Sequence, residues 1–239
     1  MISRIRHKLI LASGFRKPGI VLGLFTLAAL LAITTYAESW ENKDWTQWTS
    51  QDCYHILSAS PWYAIGPEVF EPYLKSPGLY GETGSTPEAL LVSALVIREA
   101  LEKQAQYDSH YDKMSPAEKQ TFDQQAANCI GRSFTDRIIF GLSGPYMPPS
   151  PNAPGNPFRL FIDGKEVPAI GQLGSNAISP CADKTSVTGG GYIYIAFPRF
   201  VNGTPVIQPS SKKIVLGNSV KDGFQFNVEK LIYQGKLDY

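Results

Sequence analysis

The residue types best suited to chemistry are few and scattered. Among the three histidines, His55 follows Asp52 by three positions and Trp48 by seven. On a helix that spacing puts the three on adjoining positions of one face. An acid would then orient an imidazole beneath an aromatic side chain, which is the first half of a general-base arrangement. The second half, a nucleophile within reach, has no signature nearby. The structural reading is therefore adopted: Asp52 is a first-turn capping acid and His55 a partly exposed helix residue. His110 stands in "YDSHYD" between Asp108 and Asp112 and is expected in a solvated turn. HExxH, EF-hand and CxxC patterns are all absent from the sequence. No metal and no cofactor are expected.

"GLSGP" (141–145) resembles part of a nucleophile elbow, but that turn needs Gly two positions after Ser, and Pro145 stands there. The Gly-rich "VTGGGYIY" leads into a strand, not a helix, so it lacks the amide cradle that binds phosphate. Glu68, Glu71 and Glu82 share a Pro/Gly-rich stretch with Phe70, Tyr73 and Tyr80. Acids and aromatic faces together can frame a sugar cleft. No spacing rule links such carboxylates, and packing of a long loop on a core is the expectation.

All four tryptophans, Trp40, Trp45, Trp48 and Trp62, lie within one short window. They bracket a predicted helix, Trp45 and Trp48 at its start and Trp62 beyond its end. A structural belt that staples a weak helix to a larger body is expected, because each large aromatic can bury about 150 to 250 Å². The alternative is a ligand or partner platform built on the same four residues, Trp40 and Trp45 foremost.

The elements that must position these groups begin behind an export signal. Arg4, Arg6, Lys8, Arg16 and Lys17 form a basic head, Gly19 to Ile33 an apolar stretch, and Thr35-Tyr36-Ala37 a cleavage tripeptide before Glu38. Residues 1–37 read as a signal peptide, with an uncleaved N-terminal anchor as the alternative. Export to the periplasm or the extracellular space follows. Removing five basic residues takes the net charge from +1 to −4, which argues against a nucleic-acid partner.

Residues 38–131 read as a helical segment. Thr49 and Asp52 form a capping box, and Pro61 ends the helix that follows. Thr86-Pro87-Glu88 reads as the start of a second helix through the apolar "ALLVSALVI", which "REALEKQAQ" returns to solvent. Ser115 and Glu118 form another capping box. Residues 132–239 read as strands, with hairpins at Asp163-Gly164 and Asn202-Gly203. The predicted class is α+β, N-terminal helices packed on a C-terminal antiparallel β-sandwich. The terminal "QGKLDY" is expected as a closing sandwich strand. If a disulfide forms, Cys53 and Cys129 are favoured, since both lie on inner helix stripes; buried free thiols are the alternative.

"SPW" (Ser60 to Trp62), "SALVIREAL" (Ser93 to Leu101), "FPR" (Phe197 to Arg199) and "YQGKLDY" (Tyr233 to Tyr239) resemble patterns of a family of uncharacterised exported bacterial proteins. The resemblance implies export and carries over no catalytic residues. The resulting expectation is an exported, non-enzymatic module that binds a protein or cell-envelope component. A carbohydrate-binding or carbohydrate-active protein and a structural envelope protein are the alternatives.

Overall fold

The computed structural model describes residues 40–66, 87–130, 134–143, 158–173 and 193–239. All of them belong to one compact unit, Trp40–Tyr239. The predicted signal segment, the Glu68, Glu71 and Glu82 group, the start of the Gly-rich run and Cys181 lie outside the described residues.

A 3-10 turn at Trp45–Gln47 is capped by Asp44. Helix α1 (Ser50–Ala59) follows with the expected capping box. Thr49 Oγ1 accepts the Asp52 amide at 3.1 Å, and Asp52 Oδ2 accepts the Thr49 amide at 2.9 Å. Strand β1 (Tyr63–Ile65) comes next, then β2 (Glu88–Leu91), helix α2 (Leu95–Asp108), a 3-10 turn (Tyr111–Lys113) and helix α3 (Pro116–Ile130). At α3 the expected Ser115–Glu118 box forms, the Glu118 carboxylate accepting the Ser115 amide at 2.7 Å. Helices α1 and α3 both pack against α2.

Eleven short strands and a further 3-10 turn complete the described chain. They are β3 (Arg137–Ser143), β4 (Arg159–Ile162), β5 (Lys165–Val167), β6 (Gly171–Leu173), β7 (Ile193–Pro198), β8 (Phe200–Val201), β9 (Thr204–Pro205), β10 (Lys213–Gly217), β11 (Gly223–Asn227), the turn Val228–Lys230, β12 (Ile232–Tyr233) and β13 (Lys236–Leu237). One sheet runs β1-β2-β3-β7-β6 and a second β11-β10-β4-β5, with β8-β9 and β12-β13 as separate hairpins. Every described pairing is antiparallel. The class is α+β.

The sequence expectation needs two corrections here. Thr86-Pro87-Glu88 does not open a helix: residues 88–91 form β2, and α2 begins only at Leu95, after Ala94. β2 lies between β1 and β3, and Ala89, Leu90 and Leu91 are all buried. An inner strand covered on both faces reads as a continuous apolar run, as does a buried helix, so periodicity cannot separate them. As a result helices and strands are not segregated along the chain. Strands β1 and β2 precede α2 and join the sheet completed by β3, β7 and β6. The second correction concerns "REALEKQAQ": its first residues, among them Arg98, Glu99 and Glu102, are buried, and exposure rises only from Lys103 on.

Three two-residue turns place both central residues at positive φ: Asp163-Gly164 (49° and 83°), Asn202-Gly203 (52° and 76°) and Gln234-Gly235 (50° and 73°). This is the type I′ turn whose twist suits a hairpin. The third lies in "YQGKLDY", which is therefore a hairpin of its own (β12-β13) and not a single strand of a larger sheet.

Candidate functional site

The tryptophans form the belt. Trp40, Trp48 and Trp62 are 5%, 0% and 1% exposed, while Trp45 is only partly buried. Trp40 meets Trp48 edge-on at 6.0 Å and Trp62 at 6.4 Å between ring centroids. The Trp48 indole N–H donates to the Trp40 carbonyl at 3.0 Å. Three of the four rings thus present no face to a ligand. The helix residues follow the structural reading as well. Asp52 caps α1 and pairs with Lys43 at 2.9 Å, and His55 is exposed. His110 is exposed at φ 52°, in the turn that ends α2.

Cys53 is a free, fully buried thiol, so the Cys53–Cys129 pairing favoured for any disulfide is not formed, and Cys53 follows the alternative of a buried thiol. The α1 face that carries Cys53 packs on α2, and α3 lies against α2 separately. Burial pushes the Cys53 thiol up to about 12. The Cys129 side chain lies outside the described ones. Among the described residues no group of three His, Cys, Asp or Glu side chains is placed to hold a metal, and no helix is long and apolar enough to cross a membrane.

A different set of polar residues does converge, around the N-terminus of α2. Ala94, its N-cap, has no side chain to satisfy the first helical amides. Asp238 does so from the far end of the chain: its carboxylate accepts the Leu95 amide at 2.8 Å and the Val96 amide at 3.1 Å. An anion at a helix N-terminus also meets the positive end of the helix dipole. The Asp238 carbonyl accepts the Trp62 indole N–H at 2.8 Å. Burial nonetheless holds the Asp238 carboxyl above its ordinary range, against the pull of the two amides and the nearby Arg98 and Arg199. One helical turn further on, Glu99 accepts the Tyr233 hydroxyl at 2.6 Å. Burial raises the Glu99 carboxyl too, with the Tyr233 hydrogen bond opposing it.

Arg98 and Arg199 complete the group. Arg98 is 7% exposed and lies over the Phe134 ring at 5.5 Å. Arg199, at the end of β7, stacks on the Tyr239 ring at 4.1 Å and donates through Nη2 to the Tyr239 main-chain oxygen. Burial lowers both guanidinium groups; Asp238 opposes this most at Arg98, and Tyr239, ahead of Asp238, at Arg199. Between them opens a pocket of about 380 Å³, lined also by Ser93, Thr135, Phe200, Leu237 and Asp238. It combines two cations, aromatic walls and hydroxyl groups. Ser93 Oγ accepts the Ile139 amide at 3.1 Å, and no histidine lines the pocket. The described lining thus sets two guanidinium groups beside aromatic rings and an aspartate.

None of Arg98, Glu99, Arg199 or Asp238 stands out in the sequence as a site residue. One signal was available: Arg98 and Glu99 follow "ALLVSALVI" without a break, and charges inside an apolar run are either its solvent boundary or a buried pair. The four patterns "SPW", "SALVIREAL", "FPR" and "YQGKLDY" supply Trp62, Arg98, Arg199 and Asp238 to this one place. No protein-family model, curated protein or solved structure matches the chain.

Proposed function

We propose that the protein is an exported, non-enzymatic module that binds a protein or cell-envelope component through the face bearing the Arg98–Arg199 pocket. The observation that carries this reading is the coincidence of that pocket with exposed apolar residues beside it. Phe200, part of the pocket wall, is 46% exposed, and its neighbour Val201 is 44% exposed. Arginine and aromatic side chains are the types enriched at recognition interfaces. The likeness of the four converging patterns to exported bacterial proteins supports the export half of the reading. So does the basic and apolar N-terminal sequence. Burial of Trp40, Trp48 and Trp62 weakens a ligand platform built on those rings; the acids and aromatics that suggest the carbohydrate alternative, Glu68, Glu71 and Glu82 with Phe70, Tyr73 and Tyr80, lie outside the described residues.

A sandwich arrangement of the two larger sheets belongs to the same proposal. It is supported by the contact of Phe140 on β3 with Phe226 on β11, 5.5 Å between ring centroids, a cross-sheet pair of the kind two packed inner faces produce.

A photo-crosslinking residue at Val201 tests the binding face in the source envelope, with Lys119 on α3 as the control position. The reading expects a discrete adduct from Val201 alone, suppressed by excess unlabelled protein. Equal labelling from both positions, or none from Val201, refutes it. Sequencing the N-terminus of the native protein tests export, with Glu38 as the expected first residue.

A further inference from the structure

We propose that the outer edge of β1 is a strand-addition site, taking an extended, uncharged peptide segment as a sixth strand of the five-stranded sheet. The site shares no residue with the Arg98–Arg199 pocket and goes beyond the binding reading above.

β1 is the end strand of its sheet, paired on one side only, with β2. On that side the Trp62 carbonyl accepts the Leu91 amide at 2.9 Å, and the Gly66 amide donates to the Pro87 carbonyl at 2.8 Å. Alternate residues of an antiparallel strand turn their main-chain groups to opposite sides. The N–H and C=O of Ile65 therefore point away from β2, and neither bonds another described residue. β11, the end strand of the second sheet, is set in the same way. Val228 donates to the Lys212 carbonyl at 3.0 Å. By the same alternation the main-chain groups of Gln225 lie on the side away from β10. Ile65 and Gln225 border one groove of about 620 Å³, together with Ser58 and Ser60 from the end of α1. That volume is in the range of a site for a short ligand.

Open main-chain donors and acceptors on a strand edge are a template for another main chain. Such edges are commonly guarded by Lys, Pro or inward-pointing charges. The groove lining contains none of these, and Ile65 is 60% exposed. Its side chain can form a cross-strand pair with a β-branched residue of the guest, so β1, not β11, carries the pairing.

Charge complementarity selects the occupant. Every side chain in the lining is uncharged, so a charged segment would lose water there and gain no counter-ion. Gly66 and Gly223 let a second backbone come close. Ser60 is 6% exposed, and its Oγ has no hydrogen-bond partner among the described residues. A Ser or Thr of the guest can supply one.

The probe is the capped peptide acetyl-Ser-Val-Thr-Val-Ser-amide, titrated into the full-length chain and followed by amide chemical shifts and hydrogen exchange. Saturable shifts at Ile65 and Gln225 are expected, with slowed exchange of the Ile65 amide. In a strand bound along one edge, the two valines turn their main-chain groups one way and the threonine the other. Methylating both valine nitrogens and methylating the threonine nitrogen should therefore differ in effect. One of these peptides should bind about tenfold more weakly or worse, and the other like the parent. Replacing both valines by Glu should also weaken binding about tenfold.

Ile65→Pro deletes the outward N–H and spares the ladder to β2, and should weaken binding about tenfold. Ile65→Lys keeps the N–H but guards the edge with a charge, and should act in the same direction. The methylated peptides probe the unaltered chain, so the test holds even where a variant fails to fold. No saturable shift at millimolar peptide overturns the proposal. So does equal binding of the two methylated peptides, binding of the Glu peptide as tight as the parent, or binding undiminished in both variants. Self-association of the chain that the peptide does not displace and Ile65→Lys abolishes would make a second copy the occupant, and would overturn it too. None of these results depends on the Val201 adduct.

Discussion

The Trp62 indole donates its N–H to the main-chain carbonyl of Asp238 across 176 positions of sequence, at 2.8 Å. The side chain of the same aspartate caps α2. A single residue thus ties the tryptophan belt, the central helix and the β12-β13 hairpin to one another. Its neighbour Tyr239 extends the tie to Arg199 and, through a 3.0 Å hydrogen bond to the Ile207 carbonyl, to the segment after β9.

Replacing Asp238 should therefore be costly. Asp238→Ala removes the cap of α2 and should lower stability by about 2 kcal/mol, the upper range for a lost N-cap. Asp238→Asn keeps one acceptor but turns an amide toward the helix N–H groups, so it should also destabilise, by less. Urea unfolding with an unchanged slope checks both. A midpoint unmoved in the alanine variant would show that water replaces the cap at no cost.

Trp62→Phe should cost about 2 kcal/mol, because it leaves the Asp238 carbonyl without its donor and removes ring volume from a packed core. Fluorescence gives an independent check of the belt. Acrylamide should quench only the partly buried Trp45. The emission of Trp45→Phe should be blue-shifted and nearly inert to the quencher. Strong residual quenching in that variant would mean that the belt opens in solution.

Cys53 should not react with a thiol reagent in the native protein at neutral pH. It is fully buried, and its thiol is pushed up to about 12, so almost no thiolate exists to attack. Unfolding in denaturant should release it. Peptide mapping without reduction should recover Cys53 as an unlinked peptide. Recovery linked to Cys129 would restore the bridge that this structure lacks.

Glu99 yields a prediction of sign. Burial raises its carboxyl above the unfolded value, so between the two values the folded chain binds more protons than the unfolded one. Stability from such a group is complete below the unfolded value, about 4.3 for a free Glu, and is lost as pH rises through the folded value. The groups that face it are Tyr233, Arg98 and Asp238, with Asp44 further away. Exposed acids lowered by hydrogen bonds, such as Glu118, act in the opposite direction. The informative quantity is therefore the stability of the wild type minus that of Glu99→Gln. It should fall as pH rises from about 4 toward neutrality. A difference that grows over that range would show that Tyr233 and Arg98 outweigh burial.

Local signals were the most legible part of the sequence. The Thr49–Asp52 and Ser115–Glu118 boxes, the stop before Pro61 and the Asp163-Gly164 and Asn202-Gly203 turns all depend on neighbours within a few residues. Each is found where expected. The β12-β13 turn was missed because Gln234 takes the position that Asn or Asp usually marks. β2 was missed for a different reason: which strand lies between β1 and β3 is decided by partners far away in sequence. The site residues follow the same division. Trp62 was singled out, yet its role depends on Asp238, and nothing local to either residue reveals the other. Arg98 and Glu99 looked like the solvent end of a helix because their burial comes from Tyr233, Phe134 and the terminal hairpin, which the helix sequence does not contain.

The late position of Asp238 has a consequence for biosynthesis. A ribosome extends the chain from one end only, so Trp62 and α2 emerge long before the residue that caps one and accepts from the other. Until residues 231–239 leave the exit tunnel, the first turn of α2 keeps open amides and the belt has an unmatched indole. The nascent polypeptide is thus held short of its final state until the β12-β13 hairpin has been made.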